Sequence, residues 1–216
     1  DVVHPNLVAL HNLVVFEDQA FLTMELIDGV DFLTYVRGDP REPSPPKHDY
    51  DELRAAFSQV LAGILALHDA GKLHRDIKPT NVLVNRQGRV VILDFGLVSE
   101  TDGETSISNS RDAIAGTPAY MAPELAMGGQ LGPAGDWYSV GVMLYESLVG
   151  ELPFLGHGIE VLRVKCISDP QPPHERNPEI PEDLSQLCMQ LLHRDPDDRP
   201  DQTRLRQLAN HACSAS

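Results

Sequence analysis

The chain has 216 residues, and its 42% hydrophobic and 23% charged content is ordinary for a globular protein. This length suffices for one large domain or two small ones. Seventeen basic residues against 32 acidic residues give a formal net charge of −15. That charge argues against a surface built for nucleic acid or for an anionic membrane, because binding to phosphate groups requires clustered Lys and Arg.

The cysteines indicate a reducing environment. Cys166, Cys188 and Cys213 are odd in number, far apart and without metal-binding spacing, so we expect free thiols and a cytoplasmic location. No apolar run approaches the ~18 residues of a membrane-spanning helix, and no signal peptide is evident. Because the first residue is Asp rather than Met, we expect the chain to be part of a longer protein.

The first third of the chain reads as strands followed by helices. Apolar β-formers at 7–16 and 21–27 predict two strands joined by a turn at 17–19. A short helix is expected at 31–37, and "GDPREPSPPKHD" predicts a loop because it holds four prolines. From 50 to about 70, apolar residues recur at three-four spacing and predict a helix, which Gly71 ends.

The rest of the chain is mostly helical. Two short apolar runs around 85–88 predict a β-hairpin, and the polar stretch 98–115 predicts a loop. "DWYSVGVMLYESLVG" is apolar nearly all round and predicts a buried helix. A proline-rich link at 169–181 precedes two helices at about 182–193 and 201–211. A few strands followed mainly by helices predict an α+β fold with a helix-rich lobe.

The stretch "LHRDIKPTNVLV" (73–84) holds polar residues that suit phosphate chemistry. Asn81 and Asp94 carry oxygen ligands of the kind that Mg²⁺ prefers. Asp76 could take a proton from a substrate hydroxyl, and Lys78 could neutralise charge on a phosphoryl group. These roles together predict metal-assisted phosphoryl transfer, in which positioning and electrostatics carry the catalysis.

Several motifs resemble the eukaryotic-type protein-kinase superfamily. "HRDIKPTN" (74–81), "DFG" (94–96), "GTPAYMAPE" (116–124) and "RDPDDRP" (194–200) occur in the order of that family. "DIKPTN" resembles the serine/threonine class, and the sequence on both sides of it is similar to that of bacterial Pkn-like kinases. The resemblance implies the α+β protein-kinase-like fold, mainly its helical C-terminal lobe with the hinge and the last strands of the N-terminal lobe. Residues 1–27 would be the N-lobe remnant and 28–216 the C-lobe, with a catalytic loop at 74–81 and an activation segment at 94–124.

The resemblance also implies an activity and its residues. A kinase of this class transfers the ATP γ-phosphate to Ser or Thr hydroxyls of protein substrates, with Mg²⁺. Asp76 resembles the catalytic base, Lys78 the γ-phosphate contact, Asn81 the second metal ligand and Asp94 the main metal ligand. Thr117 is expected to bridge Asp76 and Lys78, with a small turn residue as the alternative.

The adenine site is implied in "FLTMELIDGVD" (21–31) and in the hairpin that follows the catalytic loop. Met24 resembles the residue at the back of the pocket, and Asp31 a ribose contact, with a helix cap as the alternative. Leu83 resembles the apolar floor under adenine. The hinge, whose backbone groups bind adenine, would be Glu25, Leu26 and Ile27.

Three charged residues are expected to hold the structure together. Glu124 should pair with Arg199, and Asp136 should accept backbone N–H groups of the catalytic loop. Each is a charge whose burial would be costly without its partner.

Arg75 suggests control by phosphorylation. A phosphate on the activation segment would give Arg75 a bidentate partner and order the segment. The alternative is a solvated linker with incidental hydroxyls. The candidate acceptors are Thr101, Thr105, Ser106, Ser108 and Ser110.

The Gly-rich loop, the strand Lys and the helix Glu of kinases are not found in the chain. Its lysines, Lys47, Lys72, Lys78 and Lys165, do not occur in a matching strand motif. Two hypotheses therefore remain open. The first is a partial catalytic domain of a serine/threonine kinase, inactive on its own. The second is a non-catalytic pseudokinase or scaffold module.

Overall fold

The computed structural model describes residues 2–16, 19–39, 41, 49–93, 118–130, 132–156 and 158–211. The strands within these ranges are β1 (Leu10–Phe16), β2 (Gln19–Met24), β3 (Gly29–Asp31), β4 (Val82–Asn85) and β5 (Val90–Ile92). The helices are α1 (Phe32–Arg37), α2 (Tyr50–Asp69), α3 (Pro123–Ala126), α4 (Pro133–Val149), α5 (Ile159–Ile167), α6 (Pro173–Arg176), α7 (Glu182–Leu191) and α8 (Gln202–His211).

The chain divides into two compact units. We call residues 1–72, 79–94 and 202–216 the sheet unit, and residues 73–78 and 95–201 the helical unit. The boundary expected between residues 27 and 28 stays a prediction.

The first predicted strand begins later than its apolar run. Leu7 and Val8 are buried beside β5, where the Val8 N–H donates to the Ile92 carbonyl at 3.0 Å. Only from Leu10 does the chain pair with β2, in an antiparallel hairpin. The expectation of one strand over 7–16 is therefore wrong, because the run splits between a core segment and a hairpin whose first strand is exposed.

The second sheet carries the predicted hairpin. β4 and β5 are antiparallel around 85–88, as expected, and β3 pairs with β4 on the other side. Gly29 permits this approach, because a Cβ there would clash with the Val84 carbonyl oxygen. Strand β3 was not predicted, since three residues are too few to show a period.

Helix α2 confirms the predicted long helix. The Asp49 side chain accepts the N–H groups of Asp51 and Glu52, and Gly71 follows the end with a φ of +71°. Its apolar face contacts β5 and α8. The fully buried residues of that face each contribute about 1.5–3 kcal/mol, and they include Val60, Leu61, Ile64 and Leu67.

The helical unit is built around α4. Every residue of this helix from Asp136 to Tyr145 is buried, which confirms the prediction from its apolar sequence. Helix α7 packs against it closely, and a Cβ on Gly141 would lie 2.8 Å from the Leu191 Cβ. Helices α5 and α6 were not predicted. Helix α5 is rich in β-branched residues, and α6 is a single turn in the proline-rich link.

No helix within the described ranges is long and apolar enough to span a bilayer.

Candidate active site

The backbone of the loop 73–78 donates hydrogen bonds to a buried carboxylate. Asp136 lies in the first turn of α4 and is 3% exposed. Its Oδ2 accepts the His74 N–H at 2.9 Å and its Oδ1 accepts the Arg75 N–H at 2.8 Å. The expected contact of Asp136 with the backbone of the predicted catalytic loop is thus confirmed. The position near a helix N-terminus also favours the negative charge.

The same loop contains an unusual backbone conformation. Arg75 has a φ of +70°, and within the described residues it is the one non-glycine residue with a positive φ. Left-handed backbone costs a non-glycine residue roughly 1–2 kcal/mol. The adjacent residues hold this turn, because the Asp76 N–H donates to Nδ1 of the buried His74 at 3.3 Å. Strained backbone of this kind is concentrated at functional sites.

Asp76 and Lys78 form the charged pair of this loop. The Lys78 Nζ lies 2.6 Å from the Asp76 Oδ2, and both side chains are partly exposed. A carboxylate here could accept a proton from a hydroxyl, while the ammonium could stabilise negative charge on a group beside it. The structure therefore brings together the two residues for which the sequence predicts proton transfer and phosphate contact.

The other predicted site residues belong to the sheet unit. Asn81 is buried in a single 3₁₀ turn (Pro79–Asn81), and its carbonyl accepts the Leu93 N–H at 2.8 Å. Leu83 lies in β4, between Asp31 of β3 and Val91 of β5.

Several predicted residues lie outside the described residues. They are Asp94, Thr117 and the candidate phosphorylation sites Thr101, Thr105, Ser106, Ser108 and Ser110.

The predicted hinge follows directly after β2. Met24 ends that strand, and the Glu25 N–H donates to the Ala9 carbonyl at 2.9 Å. The Glu25 carboxylate accepts two hydrogen bonds from Arg89, at 3.0 and 3.1 Å, which lower its pKa. Leu26 is 94% exposed. Glu25, the first residue of the predicted hinge, is therefore fixed at both its backbone and its side chain.

Asp31 has a structural task. Its Oδ1 accepts the Thr34 N–H at 3.0 Å and its Oδ2 accepts the Thr34 hydroxyl at 2.7 Å, so it caps α1. This is the alternative that the sequence left open. The ribose contact stays a prediction.

Glu124 and Arg199 form the expected buried pair. Two parallel bonds of 2.8 and 2.7 Å join the guanidinium to the carboxylate. The Arg199 side chain is 1% exposed and that of Glu124 is 13% exposed. The pairing predicted from "APE" and "DDRP" is confirmed, and it fixes α3 to the segment before α8.

The sequence did not reveal two further cations with specific tasks. Arg89 binds Glu25 as described, and its Nε also donates to the Pro5 carbonyl at 2.8 Å. Lys165 of α5 is 1% exposed and hydrogen-bonded to backbone carbonyls. The one available signal was a lysine among the apolar residues of "VLRVKCI", but Arg163 lies in the same run, and a surface lysine would fit it equally well.

Comparison with known proteins identifies the family of the chain. Residues 1–212 match the family model of the protein kinase domain. The chain is 33% identical over 201 residues to the serine/threonine-protein kinase PknB of Mycobacterium leprae, covering 91% of this chain and 31% of that protein. It is 35% identical over 205 residues to the serine/threonine-protein kinase PkaA of Streptomyces coelicolor, covering 92% of this chain and 35% of that protein. The chain thus spans about a third of the length of these relatives.

A solved structure shows the same fold. The twitchin kinase region from C. elegans superimposes with a TM-score of 0.76 at 27% identity, covering 95% of this chain and 35% of that one. The expected α+β protein-kinase-like fold is confirmed. With the buried Asp136, the Asp76–Lys78 pair and the Glu124–Arg199 pair in place, the chain belongs to the protein kinase domain family.

Proposed function

We propose that the chain is the catalytic-loop part of a serine/threonine kinase that transfers the ATP γ-phosphate to Ser or Thr hydroxyls of protein substrates. The observation that carries this proposal is the 2.6 Å pair between Asp76 and Lys78 on a loop that Asp136 holds by its backbone. An ion pair with no task would need neither the buried anchor nor the strained turn at Arg75.

The geometry supports distinct tasks for the two residues. Asp76, as a general base, accepts the proton of the substrate hydroxyl, and this type of catalysis contributes about 10²–10⁴-fold. Lys78 lies next to it and stabilises charge on the transferred phosphoryl group. Because Lys78 also contacts Asp76 directly, it keeps that carboxylate oriented towards the site of phosphoryl transfer.

The nucleotide and Mg²⁺ would be held by groups that suit them. Asn81 and the predicted ligand Asp94 both carry side-chain oxygen donors, which suit Mg²⁺, and a bound metal would neutralise phosphate charge. In the hinge, the Glu25 N–H already donates to Ala9. The predicted adenine contacts therefore fall to the remaining backbone groups of 25–27, with Met24 and Leu83 as apolar neighbours.

Regulation by phosphorylation is part of the proposal. The Arg75 side chain is exposed on a backbone that Asp136 fixes, so a phosphate could reach the guanidinium at little ordering cost. Mass spectrometry after incubation of the full-length protein with Mg²⁺ and ATP would identify the modified residue among Thr101, Thr105, Ser106, Ser108 and Ser110. Recovery of unmodified protein with full activity would exclude this control.

We also propose a reducing cytoplasmic compartment and a signalling role. Burial raises the pKa of the Cys188 thiol well above its usual range, which suits a cysteine that stays reduced and unreactive.

The test is transfer of radiolabelled phosphate from ATP by the full-length protein and by residues 1–216 alone. We expect transfer by the full-length protein, and none by the 216-residue piece, in which the Gly-rich loop and strand Lys motifs are not found. A full-length protein that carries those motifs yet remains inert with Mg²⁺ and ATP would contradict the enzyme and favour the scaffold module.

A further inference from the structure

Lys165 is buried in an unusual way. Its ammonium donates to the carbonyls of Pro118 at 3.1 Å, Ala119 at 2.5 Å and Met121 at 2.9 Å. The side chain is 1% exposed, so almost no water reaches it. An ammonium has three protons, and this one uses all three on a stretch of four residues.

Tyr120, the remaining residue of that stretch, is also bound through its carbonyl and its hydroxyl. The Tyr120 carbonyl accepts the Ser139 hydroxyl at 2.9 Å, and the Tyr120 hydroxyl donates to Glu146 at 2.5 Å. Each of the four carbonyls from 118 to 121 therefore accepts a hydrogen bond from a buried side chain, and three of the four depend on Lys165. We call residues 118–121 the anchored segment.

The anchored segment has a place in the proposed reaction. It follows Thr117 directly in sequence, the residue expected near the substrate hydroxyl, and it leads into α3, whose Glu124 is tied to Arg199. Its backbone shape is therefore in a position to decide where a protein substrate lies. The residues predicted to bind ATP and Mg²⁺ lie neither in the anchored segment nor in α5.

We propose that Lys165 is a positioning residue for the protein substrate, because its three hydrogen bonds fix the backbone of the anchored segment. This inference rests on the proposed kinase activity. It assigns to α5 a task in docking the substrate, and none in binding the nucleotide or in the chemical step.

The buried environment of Lys165 makes its hydrogen bonds to the anchored segment sensitive to pH. Burial lowers the pKa of Lys165 to about 7, although carbonyl acceptors favour the charged form. The groups around the ammonium are Cys166 on the same helix and the Tyr138 ring, whose centroid is 5.1 Å away. Arg199, paired with Glu124, lies over the same ring. When pH rises through 7, the ammonium becomes an amine with two protons, and one of the three bonds is lost.

The test uses the full-length protein with myelin basic protein as the phosphate acceptor, which suits a chain with a net charge of −15. The variant Lys165→Met keeps the length of the side chain and removes every donor. Lys165→Arg keeps the charge, and Lys72→Met is the control at an exposed lysine. We expect Lys165→Met to lower kcat/KM for the protein substrate on the order of 10- to 100-fold, as misplacement of a substrate does. The KM for ATP and the hydrolysis of ATP without a protein substrate stay within about twofold, the scatter we allow where no contact is lost.

The pH profile separates positioning from mere stability. In the wild type, the KM for the protein substrate rises between pH 6 and 8, while Lys165→Arg and Lys165→Met show no such rise. This readout also decides the matter if Lys165→Met does not fold, because the wild type and Lys165→Arg suffice. Equal losses in the protein-substrate and ATP reactions, or a rise with pH that Lys165→Arg retains, would overturn the inference while leaving the proposed function intact. A wild type that transfers no phosphate would overturn both.

Discussion

Removing the Glu124 carboxylate should destabilise the helical unit far more than removing an exposed carboxylate with the same kind of partner. The perturbation is Glu124→Ala, and the control is Asp169→Ala. Asp169 also receives two hydrogen bonds from one guanidinium, at 2.8 and 3.2 Å from Arg194. The two pairs have the same chemistry, and burial is what distinguishes them.

The magnitude follows from the bonds that Arg199 makes. Its guanidinium donates twice to Glu124 and once each to the carbonyls of His193, Ala134 and Arg194. After Glu124→Ala, three of the five bonds remain, but the charge is buried without a counter-charge. Breaking a buried pair in this way costs about 3–5 kcal/mol. Because the Glu124 side chain is 13% exposed, water can enter the vacated space, and we expect about 3 kcal/mol.

The control pair gives the baseline. The side chains of Arg194 and Asp169 are 44% and 57% exposed, and exposed pairs contribute about 0–1 kcal/mol. A domain is stable by about 5–15 kcal/mol, so both variants should remain folded enough to measure.

The assay is urea unfolding followed by the fluorescence of Trp137. This is the single tryptophan of the chain, it is 3% exposed, and it lies in α4 of the helical unit. A loss of less than about 1 kcal/mol in Glu124→Ala, similar to that in Asp169→Ala, would refute the assignment of Glu124–Arg199 as a buried structural pair.

Three further predictions use the same unfolding measurement. Gly141→Ala should lower the free energy of unfolding by about 1–3 kcal/mol, because its Cβ would meet Leu191. Gly135→Ala lies on the same helix with its nearest neighbour 3.9 Å away, and it should raise the free energy of unfolding by about 0.5–1 kcal/mol. Equal effects of the two substitutions would contradict the close packing of α4 on α7. Arg75→Gly should change stability by less than about 1 kcal/mol and Arg75→Val should cost more than that, since a β-branched residue tolerates a positive φ poorly; similar costs would argue against the left-handed turn. Between pH 7 and 10, the free energy of unfolding of the wild type should rise by about 1 kcal/mol per pH unit relative to that of Lys165→Met. In that range Lys165 of the unfolded chain is protonated, whereas burial lowers its pKa in the folded chain, which has released the proton. Parallel pH profiles of the two proteins would contradict this.

The sequence was informative where residues act through motifs or long periods. The α2 and α4 helices have enough turns for their apolar patterns to be read. The Glu124–Arg199 and Asp136 contacts were predicted because their motifs resemble those of a family in which such charges need partners. These predictions required only the order and spacing of residues in the sequence, and no knowledge of which residues are close in space.

The rest depends on tertiary contacts that no local pattern encodes. Leu7 and Val8 look like the start of β1, yet they pack beside β5 because Ile92 offers its backbone groups there. Asp31 fits either a ribose contact or a helix cap, and only the hydrogen bonds from Thr34 show that it caps α1. Lys165 shows no sign of burial in sequence, because its three acceptors are more than 40 residues away.

If Asp76 is the base of a phosphoryl-transfer reaction, its replacement must slow the chemical step, and kcat of the Asp76→Asn variant of the full-length protein measures this directly. Asparagine keeps the shape of the side chain but cannot accept the proton. Asp183→Asn, at an exposed position in the first turn of α7, controls for the substitution itself. We expect kcat to fall by about 10²–10⁴-fold in Asp76→Asn and to remain unchanged in Asp183→Asn. An Asp76→Asn variant that transfers phosphate at the wild-type rate would show that Asp76 is not the base.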